Sequence, residues 1–134
     1  MATVWDPLRR KEVAATPEEQ VRQWFITCLR DRCKVPVGLM MSEAPLRFGD
    51  KRFRADILVY DREAAPLAVV ECKRPDVALD GAVIRQAMRY DIVLGVCWII
   101  LTNGKTTYMY RREGDRFVPV DHLPDYEEMM ACRQ

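Results

Sequence analysis

The segment Val96-Cys-Trp-Ile-Ile-Leu-Thr102 restricts the possible folds more than any other stretch of this chain. It is a nearly continuous apolar run of strand length, with no polar face to turn toward water, and so reads as a strand buried on both faces. Such a strand belongs inside a sheet that has helices packed against it. The remaining periodic segments supply those layers.

Thr16, Pro17 and Glu19 predict a helix start. The spacing is that of a capping box with proline in the first turn, the Thr hydroxyl accepting the Glu19 N–H while the carboxylate reaches back. Val21, Trp24, Phe25, Cys28 and Leu29 then form one apolar stripe, with Arg22, Gln23, Arg30 and Asp31 off it. Beyond Pro36 the period shortens toward two. This predicts strands over Gly38–Phe48, Arg52–Tyr60 and Leu67–Lys73, the first two joined by a Gly49-Asp50 turn. After Pro75 a second helix is expected from about Asp80 to Leu94, apolar at Val83, Ala87, Met88, Tyr90 and Leu94. Asn103-Gly104 predicts a type I′ turn from the buried strand into Thr106–Arg112, and residues 117–134 read as a short strand and a weak terminal helix. The expected fold is α/β, a mixed central sheet flanked by helices.

At 134 residues and 49% hydrophobic content the chain can bury a core as one domain, over residues 1–134, without a staple. Its 21 Lys+Arg against 20 Asp+Glu exclude gripping a polyanion by bulk charge, so any nucleic-acid contact is a local patch. Five cysteines without a CxxC, beside the lone His122, argue against zinc and against a disulfide framework, and fit reduced thiols. No basic, apolar leader opens the chain. The longest apolar run, Ile92 to Leu101, is too short for a bilayer and is broken by Gly95, so a cytoplasmic protein without membrane contact is expected.

Carboxylates interrupt strands that otherwise read as core. Asp56 stands within Phe53-Arg-Ala-Asp-Ile-Leu-Val-Tyr60, and Glu71 follows Leu67-Ala-Val-Val70. An unpaired buried carboxylate costs several kcal/mol or stays protonated, so a cation is expected beside them. Glu71 and Lys73 share a strand face, while Cys72 points to the packed side. Asp56 on an adjacent strand, and Glu43 in Met41-Ser-Glu-Ala-Pro45, can reach the same end of the sheet. Oxygen donors without histidine or thiolate suit Mg²⁺, with Mn²⁺ as substitute, and Lys73 would then steady a water or the developing charge in phosphodiester hydrolysis. An ion pair on an exposed edge strand fits the same spacing equally well. Gln86 and Tyr90, four apart on the second helix, can present an amide and a hydroxyl to this site, although Gln86 also fits the boundary of an ordinary amphipathic helix. Arg85 and Arg89 form a basic edge beside them.

Asp56, then Glu71-Cys72-Lys73, then Gln86-Ala-Met-Arg-Tyr90 resembles the D...(D/E)xK...QxxxY signature of the PD-(D/E)XK nuclease superfamily. Thr16-Pro-Glu-Glu-Gln-Val-Arg-Gln23, Arg54-Ala-Asp-Ile-Leu-Val-Tyr60, Val70-Glu-Cys-Lys73 and Leu101-Thr-Asn-Gly104 resemble the N-terminal nuclease domain of type I restriction enzyme R proteins. The likeness implies a restriction-endonuclease-like αβββαβ core and Mg²⁺-dependent cleavage of DNA. It implies Asp56 and Glu71 as metal ligands, Glu43 more loosely, Lys73 as the catalytic lysine, Gln86 and Tyr90 as the helix motif, and Glu19 as a further contributor. Lys51, Arg52, Arg54, Arg74, Arg85 and Arg89 are the candidate DNA contacts.

Type I subunits continue into an ATP-driven motor, whereas no GxxxxGK[ST] occurs here, so ATP hydrolysis is not expected of this chain. The implied partners are DNA and a separate motor or specificity subunit; the oligomeric state stays open, a homodimer included. The competing reading is a noncatalytic nucleic-acid-binding or assembly module that retains the nuclease fold. Three acids held together near a polyanion favour the enzyme.

Overall fold

The computed structural model describes residues 1–89 and 95–133. A two-stranded ribbon opens the chain, β1 (Thr3–Asp6) pairing antiparallel with β2 (Lys11–Ala14). Helix α1 (Pro17–Asp31) follows, then a 3₁₀ turn (Val37–Leu39) and strands β3 (Met40–Phe48), β4 (Lys51–Tyr60) and β5 (Pro66–Cys72). Helix α2 (Gly81–Met88) precedes β6 (Trp98–Thr102), β7 (Thr107–Glu113), β8 (Arg116–Val120) and helix α3 (Tyr126–Ala131). The six later strands form one sheet in the order β3-β4-β5-β6-β7-β8, antiparallel except for the parallel β5–β6 pair. This is the expected mixed sheet, with the β1–β2 ribbon added.

Every residue of β6 is buried. Trp98 and Ile100 pack with Phe25 and Leu29 of α1 and Met129 of α3; Ile99 turns the other way, onto Leu58, Val69 and Ala87 of α2. Each such aliphatic side chain contributes about 2 kcal/mol by leaving water. Helix α3 is pinned at both ends, Trp98 Nε1 donating to the Met129 carbonyl at 3.3 Å and the Tyr126 hydroxyl to the Tyr60 carbonyl at 2.8 Å. All five cysteines are free thiols. Among the described residues no helix is long and apolar enough to cross a membrane.

Three local expectations are corrected. The capping box is only half formed: Thr16 Oγ1 accepts the Glu19 N–H at 3.1 Å, but the Glu19 carboxylate turns to Arg9 at 2.6 Å and to Gln23 at 3.1 Å. A guanidinium outcompetes a neutral amide for that carboxylate. The buried stripe of α1 is rotated, taking in Arg22 and Ile26 and leaving Trp24 44% exposed. The second helix is described only to Met88, followed by Arg89, and the expected Tyr90 and Leu94 lie outside the described residues.

The β6–β7 connection is a longer loop and not a type I′ turn: Gly104 has φ 87°, whereas Asn103 is not among the residues of positive φ. Asn103 Oδ1 instead accepts the N–H groups of Lys105 and Thr106, at 2.9 and 2.8 Å, and its Nδ2 donates to the Val77 carbonyl at 2.8 Å. Asparagine here replaces backbone turn bonds with its own side chain. Glycine is favoured next to it because its φ of 87° lies in the left-handed region that L side chains rarely adopt.

Candidate active site

The strands part where the acids lie. The β4–β5 ladder ends at Ile57 opposite Val70, so Asp56 and Glu71 are the first residues beyond it on their strands, near enough for Glu71 to act on the Asp56 charge. No ladder partner is left for the Cys72 N–H, and Asp56 Oδ2 accepts it at 2.7 Å. The face alternation of β4 also breaks here: Ile57 and Val59 belong to the α1 core and Leu58 to the α2 core, yet Ala55 joins Leu58. Opposite Asp56 in the β3 register is Glu43, whose φ of 56° is unusual for a non-glycine residue. Such backbone irregularities concentrate at functional sites because they re-aim side chains.

Glu71 and Lys73 do share a face, Nζ lying 3.6 Å from the Glu71 carboxylate, while Cys72 between them is buried in the α1 core. The Lys73 N–H extends the β5–β6 ladder by donating to the Thr102 carbonyl at 2.8 Å, which fixes the backbone beneath the ammonium. Helix α2 starts at Asp80, whose side chain accepts the Val83 N–H at 3.1 Å, and lies over this strand end. Glu71, Lys73, Val83, Gln86, Ala87 and Arg89 line one narrow crevice. The structure thus brings Asp56, Glu71, Lys73 and Gln86 to one region, while Tyr90 lies outside the described residues.

Arg22, which sequence reasoning placed on the polar face, is the centre of the electrostatics. It is 4% exposed. Its Nη2 meets Glu43 Oε1 at 2.7 Å and Asp56 Oδ1 at 3.2 Å, its Nη1 meets Ser42 Oγ at 3.3 Å, and its Nε lies 3.6 Å from Glu19. Glu19 in turn holds Arg9, which pairs with the buried Asp6 of the ribbon. Glu43 gives its second oxygen to Arg54 at 3.0 Å. The expected carboxylate cluster therefore has a protein cation, and both Glu43 oxygens face arginines.

Asp56 is perturbed most: burial first, then the charge of Glu71, pushes its carboxyl up to about 7, against the opposing pull of the Cys72 N–H and Arg22. Glu43 behaves differently, since burial would raise it but Arg22 and Arg54 hold it below the ordinary range. Burial opposes the Arg22 charge, yet Asp56, Glu43 and Glu19 raise its pKa.

Asp56 and Glu71 are hard oxygen donors close enough for the charge of one to raise the pKa of the other, and such a pair suits a divalent ion such as Mg²⁺. Asp56 and Glu71 are the residues that would hold it. Among the described residues no group of three or more acidic, histidine or cysteine side chains has metal-binding geometry. Remaining coordination would fall to backbone, water or substrate oxygens, as is usual for Mg²⁺. Of the other candidate DNA contacts, Lys51, Arg52 and Arg54 lie together at the start of β4, whereas Arg74 pairs with Asp76 at 2.9 Å, Arg85 is exposed on α2, and the Arg89 guanidinium lies 5.4 Å from the Phe53 ring centre.

The fold recurs in solved structures. A fragment assigned as the HsdR subunit of a type I restriction enzyme from Vibrio vulnificus superposes with a TM-score of 0.69 at 19% identity, covering 90% of this chain and 26% of that one. A protein assigned as a nuclease from Anabaena variabilis superposes with a TM-score of 0.51 at 18% identity, covering 92% and 85%. The chain therefore spans about a quarter of the Vibrio chain. At these identities the likeness establishes the fold, a restriction-endonuclease-like α/β architecture. A search of curated proteins found no significant match. The family model for the N terminus of type I restriction enzyme R proteins matches residues 17–124, from the first residue of α1 to just before α3, and the chain belongs to that family.

Proposed function

We infer that this chain is a divalent-metal-dependent endodeoxyribonuclease that hydrolyses phosphodiester bonds within a type I restriction system. The observation that carries this reading is Asp56 within reach of the Glu71 charge, and Glu71 beside Lys73, at the point where the β4–β5 ladder ends. Mg²⁺ or Mn²⁺ held by Asp56 and Glu71 would supply Lewis-acid stabilisation of the scissile phosphate.

The protein's own groups have distinct tasks. Lys73, on a backbone fixed by Thr102, donates hydrogen bonds to a non-bridging phosphate oxygen, where negative charge grows toward the transition state. The Gln86 amide has both a donor and an acceptor, and it orients the attacking water over Glu71. Arg22 holds Asp56 and Glu43 in place before substrate arrives, so the carboxylates need not reorganise during the reaction. DNA is the substrate, and a motor or specificity subunit of the same system is the proposed partner.

One observation favours a noncatalytic module: Arg22 already gives Asp56 a counter-ion at 3.2 Å. Incubating supercoiled and linear DNA with the purified chain in Mg²⁺, Mn²⁺ or EDTA separates the two. Metal-dependent cleavage lost in Glu71→Gln supports the enzyme. DNA binding without cleavage in any metal supports the module.

A further inference from the structure

The β3–β4 hairpin outruns the rest of the sheet. Strand β4 pairs with β5 only from Ile57 to Tyr60, whereas its pairing with β3 continues to Phe48 opposite Lys51. The free half is a two-stranded ribbon with a groove of about 460 Å³, lined by Pro45, Leu46, Arg47, Arg52, Phe53 and Arg54. Arg47 and Arg52 stand directly opposite each other across it. Like charges in that position destabilise a hairpin, and neither arginine has an ion pair among the described residues. Lys51 at the turn adds a third exposed cation. The sequence holds no general excess of basic residues, at net charge +1, so this concentration is local.

Two further observations define what the ribbon suits. The Arg89 guanidinium lies over one face of the Phe53 ring, 5.4 Å from its centre, which places a further cation beside the ribbon. Arg89 also lines the crevice with Glu71, Lys73 and Gln86, so the ribbon and the candidate active site share a wall. A two-stranded ribbon has the width of the major groove of a duplex, and unpaired arginines match its phosphate rails.

We propose that the β3–β4 ribbon is the duplex-DNA docking element of this chain, gripping phosphates through Arg47, Lys51 and Arg52 and delivering the backbone past Arg89 to Glu71 and Lys73. This rests on the endonuclease reading for its substrate, but its contacts are made without metal. Fluorescence anisotropy in EDTA measures them apart from cleavage, using a 30-base-pair duplex and a single strand of equal length across a salt series. Arg47→Ala/Arg52→Ala is expected to weaken duplex binding at least tenfold at 0.1 M salt, and to flatten the log–log salt slope by about two, one for each lost phosphate contact. The exposed Arg116→Ala on β8 is expected to leave both unchanged. Melting temperature is expected to hold or rise in the double variant, because the like-charge pair is removed. Unchanged duplex affinity and slope would overturn the proposal, as would a loss confined to single strands. Cleavage failing while the ribbon variants still lose duplex binding overturns only the nuclease reading.

Discussion

Asp56→Asn should make the metal-free protein more stable, with a pH dependence fixed by the geometry. Burial and Glu71 push the Asp56 carboxyl from an ordinary 3.8 up to about 7. Between those values the folded protein keeps a proton that the unfolded chain has released, so stability falls as pH rises through the window. Below about pH 4 both states are protonated and the penalty vanishes; above about pH 7 it is complete. A gap of about three pH units amounts to about 4 kcal/mol. Asparagine stays neutral and can still accept the Cys72 N–H, but it gives up part of the 3.2 Å Arg22 pair, which lowers the net gain to roughly 2–4 kcal/mol at pH 8. For a domain of this size that is about 5–15 °C in melting temperature. Unfolding in EDTA at pH 4, 6 and 8 is the assay: the variant should match or fall slightly below wild type at pH 4 and exceed it at pH 8. Added Mn²⁺ should stabilise wild type alone. A variant less stable than wild type at pH 8, or a difference that does not grow with pH, would refute the raising of the Asp56 carboxyl by burial and Glu71.

Three other substitutions test separate parts of the site. Lys73→Ala should lower the cleavage rate by about 10²-fold or more while shifting stability by less than about 1 kcal/mol, since its Glu71 pair is partly solvated; single-turnover kinetics beside a melting curve decide it, and full activity would reduce Lys73 to an ion-pair partner. Gln86 is exposed on α2, so Gln86→Ala should slow cleavage without changing the melting temperature, and the reverse pattern would make it a packing residue. Arg22→Met should destabilise by about 3–5 kcal/mol by removing the Asp56 counter-ion and one of the two arginines on Glu43, and Arg22→Lys should recover little, because one ammonium cannot reproduce the fork that reaches Glu43, Asp56 and Ser42. Urea unfolding in EDTA measures both.

The parts of this fold that burial pattern governs were readable from the sequence. The apolar run at Trp98–Thr102 demanded cover on both faces, and the Glu71-Cys72-Lys73 alternation put two charges on one side and a thiol in the core. Arg22 was misread because its charge suggested the polar face, although Arg22, Ile26 and Leu29 are as well spaced for burial as the stripe containing Trp24. The signal was on the strands: Glu43 and Asp56 called for a cation, and α1 supplied it before any metal was needed. Ribbon strands of four residues are too short for a periodicity to register, and the positive φ of Glu43 has no signature in residue type. The type I′ expectation at Asn103-Gly104 failed because a side-chain amide with a tertiary partner at Val77 outweighed the local turn preference.

That same dipeptide gives the chain a chemical clock. Asparagine before glycine is prone to deamidation, in which the following backbone nitrogen attacks the side-chain carbonyl and ammonia leaves. In the folded protein Asn103 Oδ1 and Nδ2 are held by Lys105, Thr106 and Val77, and the Gly104 N–H is engaged by Thr102 Oγ1 at 3.2 Å. The nucleophile and its target are both tied down, so ageing at this position proceeds only through openings of the loop. Each conversion to aspartate erases the donor to Val77 and loosens the tether between the β6–β7 loop and the segment leading into α2.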